Sequence, residues 1–329
     1  MPSRLLFEVL AFAVVFVWPL SPGFPAPRVP PDNPVTLQKV ALGRRLFYDV
    51  RLSGNGTQSC ASCHQQKRAF TDGRDHAVGS TGESHPRSAM SLANAAYSAS
   101  LTWLDPDTTT LEEQMLVPLL GEHPYEMGLA GKEDEALARL RSDPLYADLF
   151  PSAFPGEGDA VTLVNVRKAI ASFERTILSG NSAYDRLVWK DDRNALSPSA
   201  RRGMALFFSD RLACSKCHAG FTFSGPVNWD GGPRAQPTLE DNGLGGCFRV
   251  PTLRNIAVTA PYMHDGRFPT LDQVINHYAE GGIPSPDRSA LVKGFMITHE
   301  ERADLVAFLE SLTDDEFLNN PLLADPWKQ

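Results

Sequence analysis

The sequence predicts a mostly α-helical protein built as two domains that join near residue 190. Three observations predict it. One five-residue motif occurs twice, at 60–64 and 214–218. Each copy is flanked by segments with apolar residues at helical spacing, and runs of alternating strand type are sparse. The 329 residues, 42% of them hydrophobic and 21% charged, suffice for one large or two ordinary cores. The net charge of −8 is spread along the chain with no basic stripe, so no nucleic-acid partner is expected.

Taken in order, residues 9–18 (VLAFAVVFVW) are wholly apolar, follow one cation in the first four residues, and precede several prolines. The run is short for a bilayer span and suits a secretory h-region, so residues 1–26 read as a signal peptide or, if uncleaved, an N-terminal anchor. Export to the periplasm follows from either. Residues 35–48 place Val35, Leu37, Val40, Leu46 and Phe47 at helical spacing. Residues 161–178 repeat this with Val166, Ile170, Phe173 and Ile177 before Gly180 and Asn181. The polar stretch 182–197 suits a linker. Ser197-Pro198 then opens a helix, serine as cap and proline at its first position, that leads through Phe208 to the second motif. Residues 219–247 are Gly/Pro-rich and irregular. INHYAEGG at 275–282 reads as a helix end stopped by Gly281 and Gly282, with His277 and Tyr278 just inside it. Thr298 and Glu301 form a capping-box pattern for a last helix.

The repeated motif carries the chemistry. CASCH (Cys60, Cys63, His64) and CSKCH (Cys214, Cys217, His218) both read C-x-x-C-H, the attachment pattern of c-type haem. Two thiols one helical turn apart form thioethers to the two vinyl groups of a porphyrin, and the adjoining histidine becomes the proximal iron ligand. A redox dithiol or a zinc shared between the pairs would leave the two histidines unexplained. Two covalent haem c groups also agree with export, because such haems are attached outside the cytoplasm. The fold expected is therefore two cytochrome-c-like haem domains with long irregular loops, over residues 32–190 and 191–329. The fifth cysteine, Cys247, is expected to be a buried free thiol.

With these residues in view the chain resembles the bacterial dihaem cytochrome c peroxidase / MauG superfamily. The likeness is carried by LGRRLFYDVRLSGNGTQSCASCH, RAFTDG, LEEQMLVPL with EMG, and FRVPTLRNIAVTAPYMHDGRFPTLDQVINHY. LTWLDPDTTTLEEQ…GEHPYEMG looks most like the MbnH branch, dihaem enzymes paired with the copper-binding protein MbnP. The resemblance implies a peroxide pocket of Gln114, Pro118 and Glu126 on the first haem. There Glu126 would move a proton between peroxide oxygens, Gln114 would orient it, and Pro118 would keep the iron face open. Read without the family, Gln114 and Glu126 are solvent-facing residues. Trp103 matches the tryptophan that relays charge between the haems, or is a core aromatic. A calcium ion between the haems would take Ser88, where the family has asparagine, and the carbonyls of Thr259 and Pro261. Arg249 and Arg254 could pair with haem propionates, or lie on the surface.

Two departures separate branches of the family. Peroxidases place a removable distal histidine where this chain has Ser80, and His76 and His85 nearby are off register and read as exposed loop residues. They also place methionine where this chain has Tyr278, as MauG does. An anionic phenolate favours ferric and higher-valent iron, whereas a thioether favours the ferrous state. The resemblance thus implies a MauG-like enzyme that uses hydrogen peroxide to form a high-valent state spread over both haems. It then oxidises a partner protein, a tryptophan to kynurenine on an MbnP-like copper-binding protein. The alternative is a dihaem peroxidase drawing electrons from a small redox protein, a cytochrome or cupredoxin. The surface tryptophan MauG carries before its second motif is Leu212 here; Trp189, Trp229 or Trp327 would have to replace it.

Overall fold

A computed structural model describes residues 16–228, 230, 232, 239–241 and 243–328. Two helix crossings organise it. Thr36 caps the helix Leu37–Phe47 by accepting from the Lys39 N–H, and Leu42, Leu46 and Phe47 point inward with no more than 0% exposure. The helix Leu163–Glu174, capped by Thr162, buries Val166, Ala169, Ile170 and Phe173 against it. The backbones touch where they cross: a Cβ on Gly43 would sit 1.9 Å from the Ala169 carbonyl oxygen. The second half repeats the device. The helix Pro198–Phe207 crosses the helix His299–Glu310, and a Cβ on Gly203 would sit 1.9 Å from the Asp304 oxygen. The Cys–Cys–His turn lies between the crossing helices of each half, as the sequence order requires.

Each crossing has its own apolar core. The first runs from Leu42 to Ile177 and also takes in Phe317, Leu318 and Leu323 from the chain's end. The second gathers Phe207, Phe223, Tyr262, Ile275 and Phe308. Each fully buried Phe or Leu contributes about 1.5–3 kcal/mol, so the helices are held by these faces rather than by propensity. Strand is minor among the described residues: Leu239–Asp241 pairs antiparallel with Cys247–Arg249. The expected helices at 35–48, 161–178, after Ser197 and after Thr298 all form, with the Ser197 and Thr298 caps in place.

Several expectations are corrected. The supposed linker 182–197 contains a helix, Ala183–Lys190, started by a reciprocal Ser182–Asp185 capping box. Asp185, 1% exposed, grips Arg254 through both guanidinium nitrogens at 2.7 and 2.8 Å. Arg254 also donates to the Phe221 carbonyl, so its charge is committed inside the protein and is not free for a propionate. Cys247 is exposed, not buried: on its short strand it points outward while Phe248 points in. At the N-terminus, Phe24 is buried between Tyr97, Phe221 and the Arg254 guanidinium. Residues 21–26, placed with the leader by sequence, thus pack into the folded body. Among the described residues no helix is long and apolar enough to cross a membrane.

Candidate functional site

Two cavities hold the two motifs. The first spans about 760 Å³, part of it open to solvent, and is lined by Cys60, Cys63 and His64 together with Gln114, Pro118 and Glu126. Gln114, Pro118 and Glu126 thus share one cavity with the first motif. Cys60–Cys63 forms one helical turn, with Ser59 and Ser62 capping each other, and His64 ends it. His64 Nδ1 lies 2.8 Å from the Phe70 carbonyl oxygen. That bond places the proton on Nδ1 and leaves the Nε2 lone pair free to ligate, and burial holds the ring neutral by lowering its pKa. Gln114 ends the helix Leu111–Gln114, Pro118 lies in the turn Leu116–Leu120, and the Met127 N–H bonds the Pro118 oxygen at 2.9 Å, bringing Glu126 alongside. Burial raises the Glu126 pKa.

Sequence reasoning missed two residues of this cavity. His85 is not an exposed loop residue; it lines the cavity with Nε2 3.6 Å from Glu126 Oε1. Glu174 lines the same cavity, with Oε2 buried and without a partner and its pKa pushed up to about 8 by burial. The expectation at the other histidine holds: His76 is exposed on its loop. Ser80 lies against the Glu126 backbone, its N–H bonding the Glu126 oxygen at 2.7 Å.

The second cavity encloses about 1280 Å³, part of it open to solvent, and is lined by Cys214, Cys217, His218 and Tyr278. His218 Nδ1 faces the Phe223 oxygen at 3.1 Å, the counterpart of the His64 contact, and burial keeps this ring neutral too. Of the neighbours His277 and Tyr278, only Tyr278 lines the cavity; His277 packs on Phe268 at 5.1 Å. Burial raises the Tyr278 phenol above its ordinary range, so ionising it calls for a nearby cation. Leu212, at MauG's tryptophan position, is a buried wall residue. Trp189 and Trp327 are 42% and 41% exposed, and Trp229 lies outside the described residues.

Trp103 lines the second cavity at the seam between halves. Its indole N–H donates to the Ser88 carbonyl at 3.2 Å, and its ring meets His264, which stacks on Phe248 at 3.8 Å. Arg249, next along that strand, is half-buried, its pKa lowered to about 10 by desolvation, with Nε unpartnered and Nη1 on the Ser100 oxygen. The calcium expectation falls on the same seam. Ser88 bonds the loop that carries Thr259 and Pro261, its hydroxyl donating to the Met263 oxygen at 3.0 Å. Calcium takes about six to eight oxygens, usually with carboxylates among them. One neutral hydroxyl already in use and two carbonyls are a weak set, and no step below depends on the ion.

Both cavities fit a covalently held porphyrin. Each has a thiol pair on one turn, a neutral histidine oriented by a backbone oxygen, and mostly apolar walls. A family model described as di-haem cytochrome c peroxidase matches residues 37–193. Methylamine utilization protein MauG of Methylorubrum extorquens is 36% identical over 86% of this chain and 80% of its own length. The chain belongs to the di-haem cytochrome c peroxidase / MauG family. Cytochrome-c peroxidase IdrP1 of Pseudomonas sp. (strain SCT) is 34% identical over 98% of this chain and 94% of that one. A solved structure, of a MauG-like protein associated with microbial copper homeostasis, matches with a TM-score of 0.90 and 39% identity, covering 95% of this chain and 99% of that one. The protein is thus a haem-dependent oxidoreductase, and its family implies two haem c groups.

Proposed function

We propose that this is a periplasmic, MauG-like dihaem enzyme, one haem in each of two domains. It uses hydrogen peroxide to oxidise a partner protein, converting a tryptophan to kynurenine on an MbnP-like copper-binding protein. The observation that carries the reading is Tyr278: it lines the cavity of Cys214, Cys217 and His218, where electron-accepting members of the family carry methionine. When bound, the two haems supply the open iron face for peroxide and the storage of oxidising equivalents. The chain supplies the rest. His64 and His218 would be the residues that hold the two irons, and Tyr278 would be a further ligand of the C-terminal one, its phenolate stabilised by the metal's charge. Glu126 takes the proton of the inner peroxide oxygen and returns it to the outer one, which leaves as water with both electrons of the O–O bond. Gln114 orients that carboxyl, and Pro118 excludes a protein ligand from the same face. Trp103, between Ser88 and His264, is the bridge for charge between the halves. Opening an indole to N-formylkynurenine consumes two peroxides and releases two waters, and hydrolysis then frees formate. The likeness to a MauG-like protein of copper homeostasis favours the copper-binding partner.

The test adds peroxide to the diferric protein and follows electronic and Mössbauer spectra, then adds the partner and reads its mass. A long-lived species two electrons above the resting state, discharged by the partner with the mass change of kynurenine, is expected. Turnover only after partial reduction, with a reduced cytochrome consumed, would instead show a peroxidase that detoxifies peroxide.

A further inference from the structure

We infer that His85 is a positioning residue for Glu126: its neutral ring presents Nε2–H to the carboxylate and holds it ionised and aimed into the first cavity. The inference rests on the role proposed for Glu126 and adds the group that prepares it.

The geometry begins with the backbone. His85 N–H bonds the Ala77 oxygen at 2.7 Å, Ala77 N–H bonds the Arg87 oxygen at 3.1 Å, and Gly79 N–H bonds the Glu83 oxygen at 2.8 Å, closing residues 77–87 into a loop. That loop is stitched to the Glu126 segment from both sides. Ser80 N–H bonds the Glu126 oxygen at 2.7 Å, and Tyr125 N–H bonds Glu83 Oε2 at 3.1 Å. The two backbones are so close that a Cβ on Gly79 would lie 1.7 Å from the Tyr125 oxygen. The side chains of His85 and Glu126 therefore face one another across a rigid seam and not by chance of rotamer. Both line the cavity that holds Cys60, Cys63 and His64.

The tautomer follows from one further bond. The Arg87 backbone N–H donates to His85 Nδ1 at 3.2 Å, so Nδ1 is an acceptor and the neutral ring carries its proton on Nε2. Nε2 is the atom 3.6 Å from Glu126 Oε1, a separation that a small side-chain rotation closes to a hydrogen bond. The ring orients and does not relay. Donating Nε2–H from a neutral ring would leave an anion. Gaining a second proton is opposed by burial and by Arg87 and His76, with the Arg87 N–H already occupying Nδ1. A neutral donor beside a carboxylate favours its ionised form, against the burial that pushes Glu126 the other way. The other titratable groups facing Glu126 are the thiol sulfurs of Cys60 and Cys63, which become thioethers once haem is attached. Glu174 lines the same cavity, and Glu83 is turned to the Tyr125 N–H.

The test compares haem-loaded wild type with His85→Phe, which keeps a ring and removes the donor, and His85→Gln, whose amide restores an N–H at the Nε2 position. Infrared titration reads the Glu126 carboxyl band, assigned by its loss in Glu126→Gln. Stopped-flow reads the second-order rate with peroxide against pH. In His85→Phe the carboxyl is expected to titrate about one pH unit higher, a tenfold change in its ionisation, and the acid limb of the rate moves with it. His85→Gln recovers most of the shift. If the phenylalanine variant does not assemble, His85→Asn makes the same comparison, because its amide reaches only the Nδ1 position. An unmoved carboxyl midpoint overturns the inference. A first haem that is six-coordinate at rest and becomes five-coordinate on removal of His85 also overturns it, making His85 an iron ligand. If the midpoint moves and the peroxide rate does not follow, the His85–Glu126 pair stands and the acid–base role of Glu126 falls.

Discussion

Replacing Glu174 with glutamine should make the protein more stable, and increasingly so as pH rises. Glu174 is 5% exposed, Oε2 has no partner, and burial raises its pKa from 4.5 to about 8, with Arg175 opposing and Glu112 adding. Arg175 gives little relief because both its terminal nitrogens are bound to Glu112 at 2.8 Å. In the unfolded chain the carboxyl ionises near its ordinary value. Between the two pKa values the folded state binds one proton more than the unfolded state, so stability falls as pH rises. Each pH unit costs about 1.36 kcal/mol, so from pH 4.5 to 7 the penalty reaches roughly 3 kcal/mol. Water entry and relaxation make that an upper bound. Glutamine keeps the shape and cannot ionise, and it resembles the protonated acid, so the variants should match near pH 5 and diverge above it. Denaturant midpoints of the haem-loaded proteins from pH 5 to 8, at constant m, read the divergence. Parallel curves for wild type and Glu174→Gln would refute the buried, protonated carboxyl.

Glu126→Gln should slow the reaction with peroxide about 100- to 10,000-fold, the usual contribution of a positioned acid–base group, with haem content unchanged; stopped-flow spectra and a pyridine haemochrome assay check both. Asp185→Ala should cost about 3–5 kcal/mol in denaturant unfolding, because it strands the Arg254 guanidinium, 0% exposed, without its partner. Tyr278→Met should leave both haems attached and change only the second haem's spectrum and its ability to hold oxidising equivalents; normal accumulation of the two-electron-oxidised species in the mutant would remove Tyr278 from the iron.

How much was legible in the sequence follows the range of each interaction. The C-x-x-C-H turns were legible because both thiols and the histidine lie within about one turn of chain. The crossing helices were legible from 3.6-residue spacing and from caps at Ser197 and Thr298. The 183–190 helix was not, because its inward residue is Asp185, whose partner Arg254 arrives from another part of the chain. Ser182 and Asp185, spaced as a capping box, were the available signal. His85 was missed because its place depends on a backbone seam between residues 77–87 and 122–127, marked in sequence only by Gly79. Glu174 looked like any polar residue at a helix end. Cys247 was misjudged because residue-type averages say little about a three-residue strand whose faces alternate.

The two cavities differ in a way that matches the two tasks proposed for them. The first has two carboxyls in its wall, Glu126 and Glu174, together with His85 and Gln114. Breaking an O–O bond moves protons, and a proton needs titratable groups within hydrogen-bond reach of the reacting oxygens. Among the described residues the second cavity has no carboxylate or ammonium in its wall, and its polar groups are histidines, tyrosines and Trp103. A hole stored there meets no carboxylate in the wall to draw off a proton. Tyr278 is the exception that the apolar wall makes useful: with its phenol pushed up by burial, it would ionise only toward a metal cation, which in the proposed role is the iron. Exchanging the characters of the two walls would therefore damage both functions, and a carboxylate introduced at Ile275, 4% exposed on the Tyr278 helix, should shorten the life of the oxidised state without touching the rate at which peroxide is consumed.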